Sequence, residues 1–363
     1  MTPSDLAPRR LAPDLTVRPL GVSSGTSRWA PTVPQPQDAR LLDGLRRVLD
    51  ADCGSGAQLL DTADSHRCGH AERLVGKVLK ERSDYRVQVA SKVGRVQGSA
   101  PHPYAGPRVR HQLEQTLENL YLDQLAIYTL ESYDFGLGDR YLDPVVEQMR
   151  ALRDLGEIRA IGLRGPGFRS SERSIRRFLD LFDRIRPDVL WTQASGLLPL
   201  ADLGEGEDLG TFAARHGVGL VIASPLAHGV LAGGRVDRAL AAWPDTTADR
   251  GAVASAVTQG LAQLAGRFGS SPQALARVAL RSLLQRVQNA VLVIGVGDEQ
   301  QQRHDRGLLG RPLSEQELAA ADEVFAHMRS VLFRPEERAP FLEGHRVTLP
   351  ETGLVQRTTP SRR

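Results

Sequence analysis

The chain has 363 residues, of which 41% are hydrophobic and 25% charged, and a formal net charge of +3 at neutral pH. A balance so close to neutral, with basic residues interleaved among acidic ones, excludes the basic footprint of a nucleic-acid binder, and no apolar run approaches the roughly 20 residues that span a bilayer. Cys53 and Cys68 are too few for a disulfide framework, and Met1-Thr2-Pro3-Ser4-Asp5 has neither the charged nor the apolar part of a secretory signal, so a reduced, cytoplasmic protein is expected.

Residues 1–16 are expected to be an N-terminal extension outside the main domain. After them, apolar strand-like runs alternate eight times with helical periodicity. The strands are expected over Val17 to Ser24, Gln58 to Ala63, Val87 to Lys92, Leu125 to Leu130, Ala160 to Leu163, Val189 to Gln193, Gly219 to Ala223 and Ala290 to Ile294. Helices fall between them, among them Pro107 to Tyr121 and Pro144 to Leu155. A further amphipathic helix, Ser314 to Leu332, opens with the Ser-x-x-Glu spacing of a capping box. Such alternation predicts parallel strands joined by crossover helices, closing an α/β (β/α)8 TIM barrel over residues 17–333. The tail 334–363, with Pro335, Pro340, Pro350 and Pro360, is expected to be extended or disordered.

A barrel of this kind builds its site at the C-terminal ends of the strands. Those ends supply Asp61, His66, Lys92, Glu131, Arg164, Gln193 and Ser224. Each alone has a bland reading: Asp61 a cap, Glu131 a solvated rim residue, Gln193 a satisfied amide. Their convergence on one face is what marks a site. Lys92 stands out further, because Lys77, Lys80 and Lys92 are the only lysines among 46 basic residues. A lysine is a compact charge whose pKa shifts readily on burial, which arginine's does not. His66, Cys68 and His70 have the chemistry of zinc ligands, but no matching second pair is visible and no metal is expected.

The run from Leu59-Leu60-Asp61-Thr62-Ala63-Asp64-Ser65-His66 to Glu72-Arg73-Leu74-Val75-Gly76 reads as an apolar strand, a polar loop and the start of a helix. It resembles the signature of the aldo-keto reductases, in which an Asp is followed five residues later by a catalytic Tyr and then by a Glu-Arg-Leu-x-Gly helix. The resemblance covers roughly residues 17 to 330. It returns in order at Ala90-Ser91-Lys92-Val93-Gly94, at Leu155-Gly156-Glu157-Ile158-Arg159-Ala160-Ile161-Gly162, and at Ser224-Pro225-Leu226 followed by Gly229-Val230-Leu231-Ala232-Gly233-Gly234.

The resemblance implies a catalytic group of Asp, Tyr, Lys and His, in which Lys lowers the Tyr pKa so that the phenol donates a proton as hydride arrives from NADPH. Asp61 and Lys92 match it, His66 stands at the Tyr position and Glu131 at the His position. A branch of the family that reduces enones also carries Glu there. With Lys92 on one side and Asp61 and Glu131 on the other, His66 is expected to be poised near neutrality, as suits a general base. On the cofactor side the family's Ser-Asn is Arg164-Gly165, its stacking Tyr is Ala223, and Asp298-Glu299 brings negative charge towards the adenosine phosphate. Gln193 remains in place.

The leading expectation is therefore a site that works without a nicotinamide cofactor. In this reading Asp61, His66, Lys92 and Glu131 carry elimination, isomerisation or cyclisation of a small carbonyl-bearing metabolite. Trp29, Tyr104, Tyr133 and Arg164 are expected to bind the substrate, which Arg164 would favour as an anion. The alternative is an NADPH-dependent reductase with an unusual proton donor, in which Gln193, Ser224, Gly295, Arg303 and Asp305 hold the cofactor. A third reading is a non-catalytic member that binds a metabolite or a partner.

Overall fold

The computed structural model describes residues 7–25, 37–50, 56–81, 84–237, 250–296 and 309–333. A short antiparallel hairpin comes first, β1 (Arg9–Ala12) and β2 (Leu15–Val17). Eight strands follow: β3 (Leu20–Ser23), β4 (Gln58–Asp61), β5 (Val87–Val93), β6 (Leu125–Leu130), β7 (Ile158–Arg164), β8 (Val189–Gln193), β9 (Gly219–Ala223) and β10 (Ala290–Gly295). They pair in parallel in chain order, and β10 returns to β3 to close the barrel. The helices on its outside are α1 (Asp38–Asp50), α2 (His70–Glu81), α3 (Arg108–Leu120), α4 (Leu142–Asp154), α5 (Glu172–Ile185), α6 (Leu209–Arg215), α7 (Arg250–Phe268), α8 (Pro272–Arg286) and α9 (Glu315–Leu332). None of them is long and apolar enough to cross a membrane.

The eight expected strands are all present, with one correction at the first. The run Val17 to Ser24 is split, with Val17 ending the hairpin and Leu20 opening the barrel. Pro19 lies at the break, where it offers its carbonyl to Leu292 but has no N–H to continue a ladder. Alternation along the strands then sorts the side chains. Leu60, Leu220, Ile222 and Leu292 join the outer layer against the helices, whereas Leu59, Ala90, Ala126, Ala160, Val221 and Val291 face inward. Small inner residues leave the barrel room for one large one, Trp191.

The N-terminal extension stands outside the barrel's sheet, as expected. Its hairpin is a sheet of its own, yet Leu11, Ala12, Leu15 and Val17 are buried with the inner layer and close the barrel's N-terminal end. The fit is tight: a Cβ on Gly219 would lie 2.3 Å from the Leu11 carbonyl oxygen. Arg9 fastens the hairpin by donating to Val287 O at 2.7 Å, Ala290 O at 2.8 Å and Leu284 O at 2.8 Å, carbonyls at the C-terminus of α8 and beyond it that its last turn leaves open. At the other end of the chain, Ser314 caps α9 with the expected capping box to Glu317. The tail 334–363 lies outside the described residues.

Candidate active site

The site begins with the ends of β4 and β5. Parallel pairing sets Asp61 opposite Ala90, so Lys92, two residues further on, projects from the same inner face beside the carboxylate. Lys92 Nζ donates to Asp61 Oδ1 at 2.7 Å and to the Thr62 carbonyl at 2.7 Å, and both side chains are buried. Burial pushes the Asp61 carboxyl up, while the Lys92 cation pulls it down. Trp191 on β8 forms the floor: Lys92 Nζ stands 5.0 Å from its ring centroid, and the buried indole N–H faces Asp61.

His66 comes from the loop between β4 and α2. The turn is held by His66 N donating to Ala63 O at 3.0 Å, and then Arg67, Cys68 and Gly69 all take left-handed backbone, with φ of 54°, 53° and 78°. That reversal starts α2 at His70. The ring packs against Gly25, where a Cβ would lie 2.3 Å from Nδ1, so this close approach requires glycine. Nδ1 is buried and has no hydrogen-bond partner among the described residues. Burial first, and the Lys92 cation second, bring the His66 pKa down to about 3 against the opposing pull of Glu131. The expectation of a ring poised near neutrality is thereby corrected. His66 is a neutral imidazole at physiological pH, because loss of solvent outweighs the nearby carboxylate.

Glu131 follows β6 directly, and its N–H donates to Val93 O at 2.9 Å. Its carboxylate is paired with Arg95 at 3.1 Å and accepts a weak hydrogen bond from Ser65 Oγ at 3.4 Å. Burial alone would raise this carboxyl. Arg95, then Lys92 and Arg164, more than offset burial and hold it below the usual carboxylate range. Arg95 and Trp191 are the two members of the site that the sequence reading missed. Trp191 shares the inner face of its strand with Gln193, two residues on, and that period could have revealed it.

The remaining candidates are spread unevenly. Arg164 ends β7 half-buried, and its carbonyl accepts the Tyr133 hydroxyl at 2.7 Å, which ties the loop after β6 to the next strand. Gln193, Ser224 and Gly295 lie half-buried at the C-terminal ends of β8, β9 and β10. Tyr104 is in the wrong place for a substrate contact. Its ring is 1% exposed and stacked on Phe135, and its hydroxyl accepts from Ser132 N at 2.9 Å and donates back to the Ser132 carbonyl, so it pins two loops together. Trp29, Arg303 and Asp305 lie outside the described residues, as do Asp298 and Glu299. Among the described residues no three His, Cys, Asp or Glu side chains converge as metal ligands, and His70 pairs with Asp38 at 2.8 Å.

A model of the aldo/keto reductase family matches residues 21–326. The chain belongs to that family. It is similar to the L-galactose dehydrogenase of Arabidopsis thaliana, with 29% identity over 184 residues that cover 48% of this chain and 53% of the relative, so the match spans about half of that protein's length. It is also similar to the Glycine max protein named "Probable aldo-keto reductase 1", 24% identical over 76% of this chain and 77% of the relative. Among solved structures, the glycerol dehydrogenase of Gluconobacter oxydans shares the fold at a TM-score of 0.67 and 18% identity, covering 92% of this chain and 98% of that one. An aldo/keto reductase from Klebsiella pneumoniae in complex with NADP and acetate shares it at 0.59 and 19%, covering 94% and 99%.

These relatives overturn the expectation that no nicotinamide cofactor is used. All four are named for dehydrogenase or reductase activity, and one of the solved structures holds NADP. That expectation weighed only lost side-chain contacts, each worth about 1–2 kcal/mol. The loop after β9 offers contacts of another kind. Ser224, Ala227, His228 and Gly229 are all left-handed, with φ of 57°, 49°, 57° and 91°. Consecutive left-handed residues turn peptide N–H groups into a concave cradle for an anion. The N–H groups of Leu226 and His228 donate to no other group among the described residues, and Gln193 and Ser224 stand at the ends of the two neighbouring strands.

Proposed function

We propose that this protein is an NADPH-dependent oxidoreductase interconverting a carbonyl and an alcohol on a small metabolite, with His66 where the family places a phenol. The observation that carries the reading is the buried Lys92 and Asp61 pair beneath a neutral His66 at the mouth of the barrel. Bound NADPH supplies the hydride. Gln193, Ser224 and the peptide N–H groups of the loop after β9 would hold it, and Gly295 offers backbone close by.

The chain's own residues handle the oxygen. A neutral imidazole donates one hydrogen bond, which polarises a carbonyl, and its other nitrogen accepts. Lys92 has three N–H donors, of which Asp61 and Thr62 engage two, so one remains for the imidazole or the reacting oxygen. Its positive field favours the alkoxide that develops there. His66 keeps its N–H hydrogen bond to that oxygen while the Lys92 ammonium yields the proton and is reprotonated from solvent after product leaves, so no imidazolium need accumulate. Cofactor-free acid/base catalysis would instead ask the ring to hold a full proton, which a pKa near 3 opposes.

Titration of the protein with NADPH, followed by cofactor fluorescence, tests the reading together with NADPH consumption over a panel of aldehydes and ketones. Low-micromolar binding and turnover are expected. His66→Phe and Lys92→Met should keep the binding and lose most of the turnover. No binding at about 1 mM, equivalent to an affinity weaker than roughly −4 kcal/mol, would end the reading.

A further inference from the structure

Glu131 has more capacity to accept hydrogen bonds than its neighbours use. Arg95 sits 3.1 Å from one carboxylate oxygen, and among the described residues the other receives only the long Ser65 contact at 3.4 Å. An ionised carboxylate has about four lone-pair sites and no donor, so at least one site is left for a guest that donates. Lys92, Arg95 and Arg164 surround it closely enough to hold it charged, which disfavours an ammonium as that guest. A hydroxyl group meets the need without adding charge.

Position then narrows the choice. Ser65, which touches Glu131, is the residue immediately before His66, so the carboxylate and the imidazole share one small volume. If His66 binds the reacting oxygen, as in the function proposed above, on which this inference rests, the carboxylate reaches a hydroxyl one carbon away. Arg95 is what makes this possible. Its guanidinium is only 12% exposed and comes from the loop just beyond Lys92, and without it the carboxyl would titrate higher, towards the protonated acid, a group able to donate to a carbonyl instead.

We infer that Arg95 is a positioning residue that fixes Glu131 as an acceptor-only anion beside the reacting carbon. The pocket thereby selects a carbonyl compound with a hydroxyl on the adjacent carbon over the isostere that lacks it. The groups facing Glu131 from neighbouring elements are Lys92, Arg95 and Arg164 as cations, neutral His66, and Asp61, Asp64 and Tyr104 on the acidic side.

The test compares glycolaldehyde with propionaldehyde, in which a methyl replaces the hydroxyl, as substrates with NADPH. The wild type should prefer glycolaldehyde by about tenfold or more in kcat/KM, since one charge-assisted hydrogen bond is worth roughly 1.5–3 kcal/mol. Glu131→Gln should cut the preference. Arg95→Met should cut it at mildly acidic pH and regain it as pH rises, because the carboxyl then titrates higher, while Arg95→Lys should rescue it. Difference infrared spectra against Glu131→Gln read the same group without turnover: a carboxylate stretch in the wild type and a protonated carboxyl stretch in Arg95→Met are expected. Equal use of the two aldehydes, a preference untouched by Glu131→Gln, or a protonated Glu131 in the wild-type spectrum would overturn the inference. Failure to oxidise NADPH with either aldehyde would count against the reductase reading, and the infrared comparison would then decide the role of Arg95 by itself.

Discussion

Lys92 Nζ lies 2.7 Å from Asp61 Oδ1, and each of the two residues is only 1% exposed. A charge pair so removed from water stands or falls together. Removing one member leaves the other charged and unsolvated, at a cost of about 3–5 kcal/mol, whereas an apolar pair of similar size costs far less. Lys92→Met is therefore expected to destabilise the protein by that amount, and the double variant Asp61→Leu with Lys92→Met to be more stable than Lys92→Met alone. Urea denaturation of the three proteins checks this. Additive losses would mean that the pair is not coupled.

The low pKa of His66 ties the stability of the fold to pH. Its value is about 3 in the fold and 6.5 in the unfolded chain, so between these limits the unfolded chain binds the extra proton. Stability is therefore intact above about pH 6.5 and falls as pH drops towards 3. At pH 5 the loss from His66 alone is about 2 kcal/mol. His228, brought down to about 4 by burial, acts in the same direction. His66→Phe should flatten the fall in stability between pH 7 and 5 relative to the wild type, measured by denaturant midpoints across that range. The same slope in both proteins would show that the ring is solvated in the fold. In steady-state kinetics no limb near pH 6.5 should disappear with His66, in contrast to a general base poised near neutrality.

The barrel was legible because period-two runs separated by helical ones have few other solutions, and the Asp61 and Lys92 pair because its motif straddles two strand ends. The hairpin was not. Leu11, Ala12, Leu15 and Val17 form too short an apolar stub to read, and the surface they cover is assembled from strands far away in the chain, β9 and β10 among them. Arg95 was hidden by composition, since arginine supplies nearly all the cations and one more carries no signal. The cofactor expectation went astray because it weighed side chains alone, and the open N–H groups of Leu226 and His228 are a backbone feature that side-chain identity does not encode. The charge of His66 was misjudged because counting its charged neighbours ignores burial, the largest contribution.

Gly76 ends the motif that first marked this chain, and its role is steric. It stands one turn after Glu72 on α2, and both face Asn119 at the end of α3. Glu72 accepts from Ser91 Oγ at 2.8 Å, Thr116 Oγ1 at 3.0 Å and Asn119 Nδ2 at 3.1 Å, which fixes the helix against β5 and α3. At Gly76 the two helices come so close that a Cβ would lie 2.0 Å from the Asn119 carbonyl oxygen and 2.8 Å from Leu120 Cα. Both are backbone atoms, so no side chain can swing away. Gly76→Ala should therefore cost about 1–2 kcal/mol net, since overpacking outweighs the roughly 1 kcal/mol that alanine contributes to a helix. Because α2 starts at the left-handed turn that carries His66, kcat/KM should fall as well. Gly266→Ala is the control: it lies in α7 with nothing within 4 Å of a Cβ, and should gain up to about 1 kcal/mol. Urea midpoints of the two variants separate the cases, and a Gly76→Ala protein as stable as the wild type would mean that α2 and α3 are not in backbone contact.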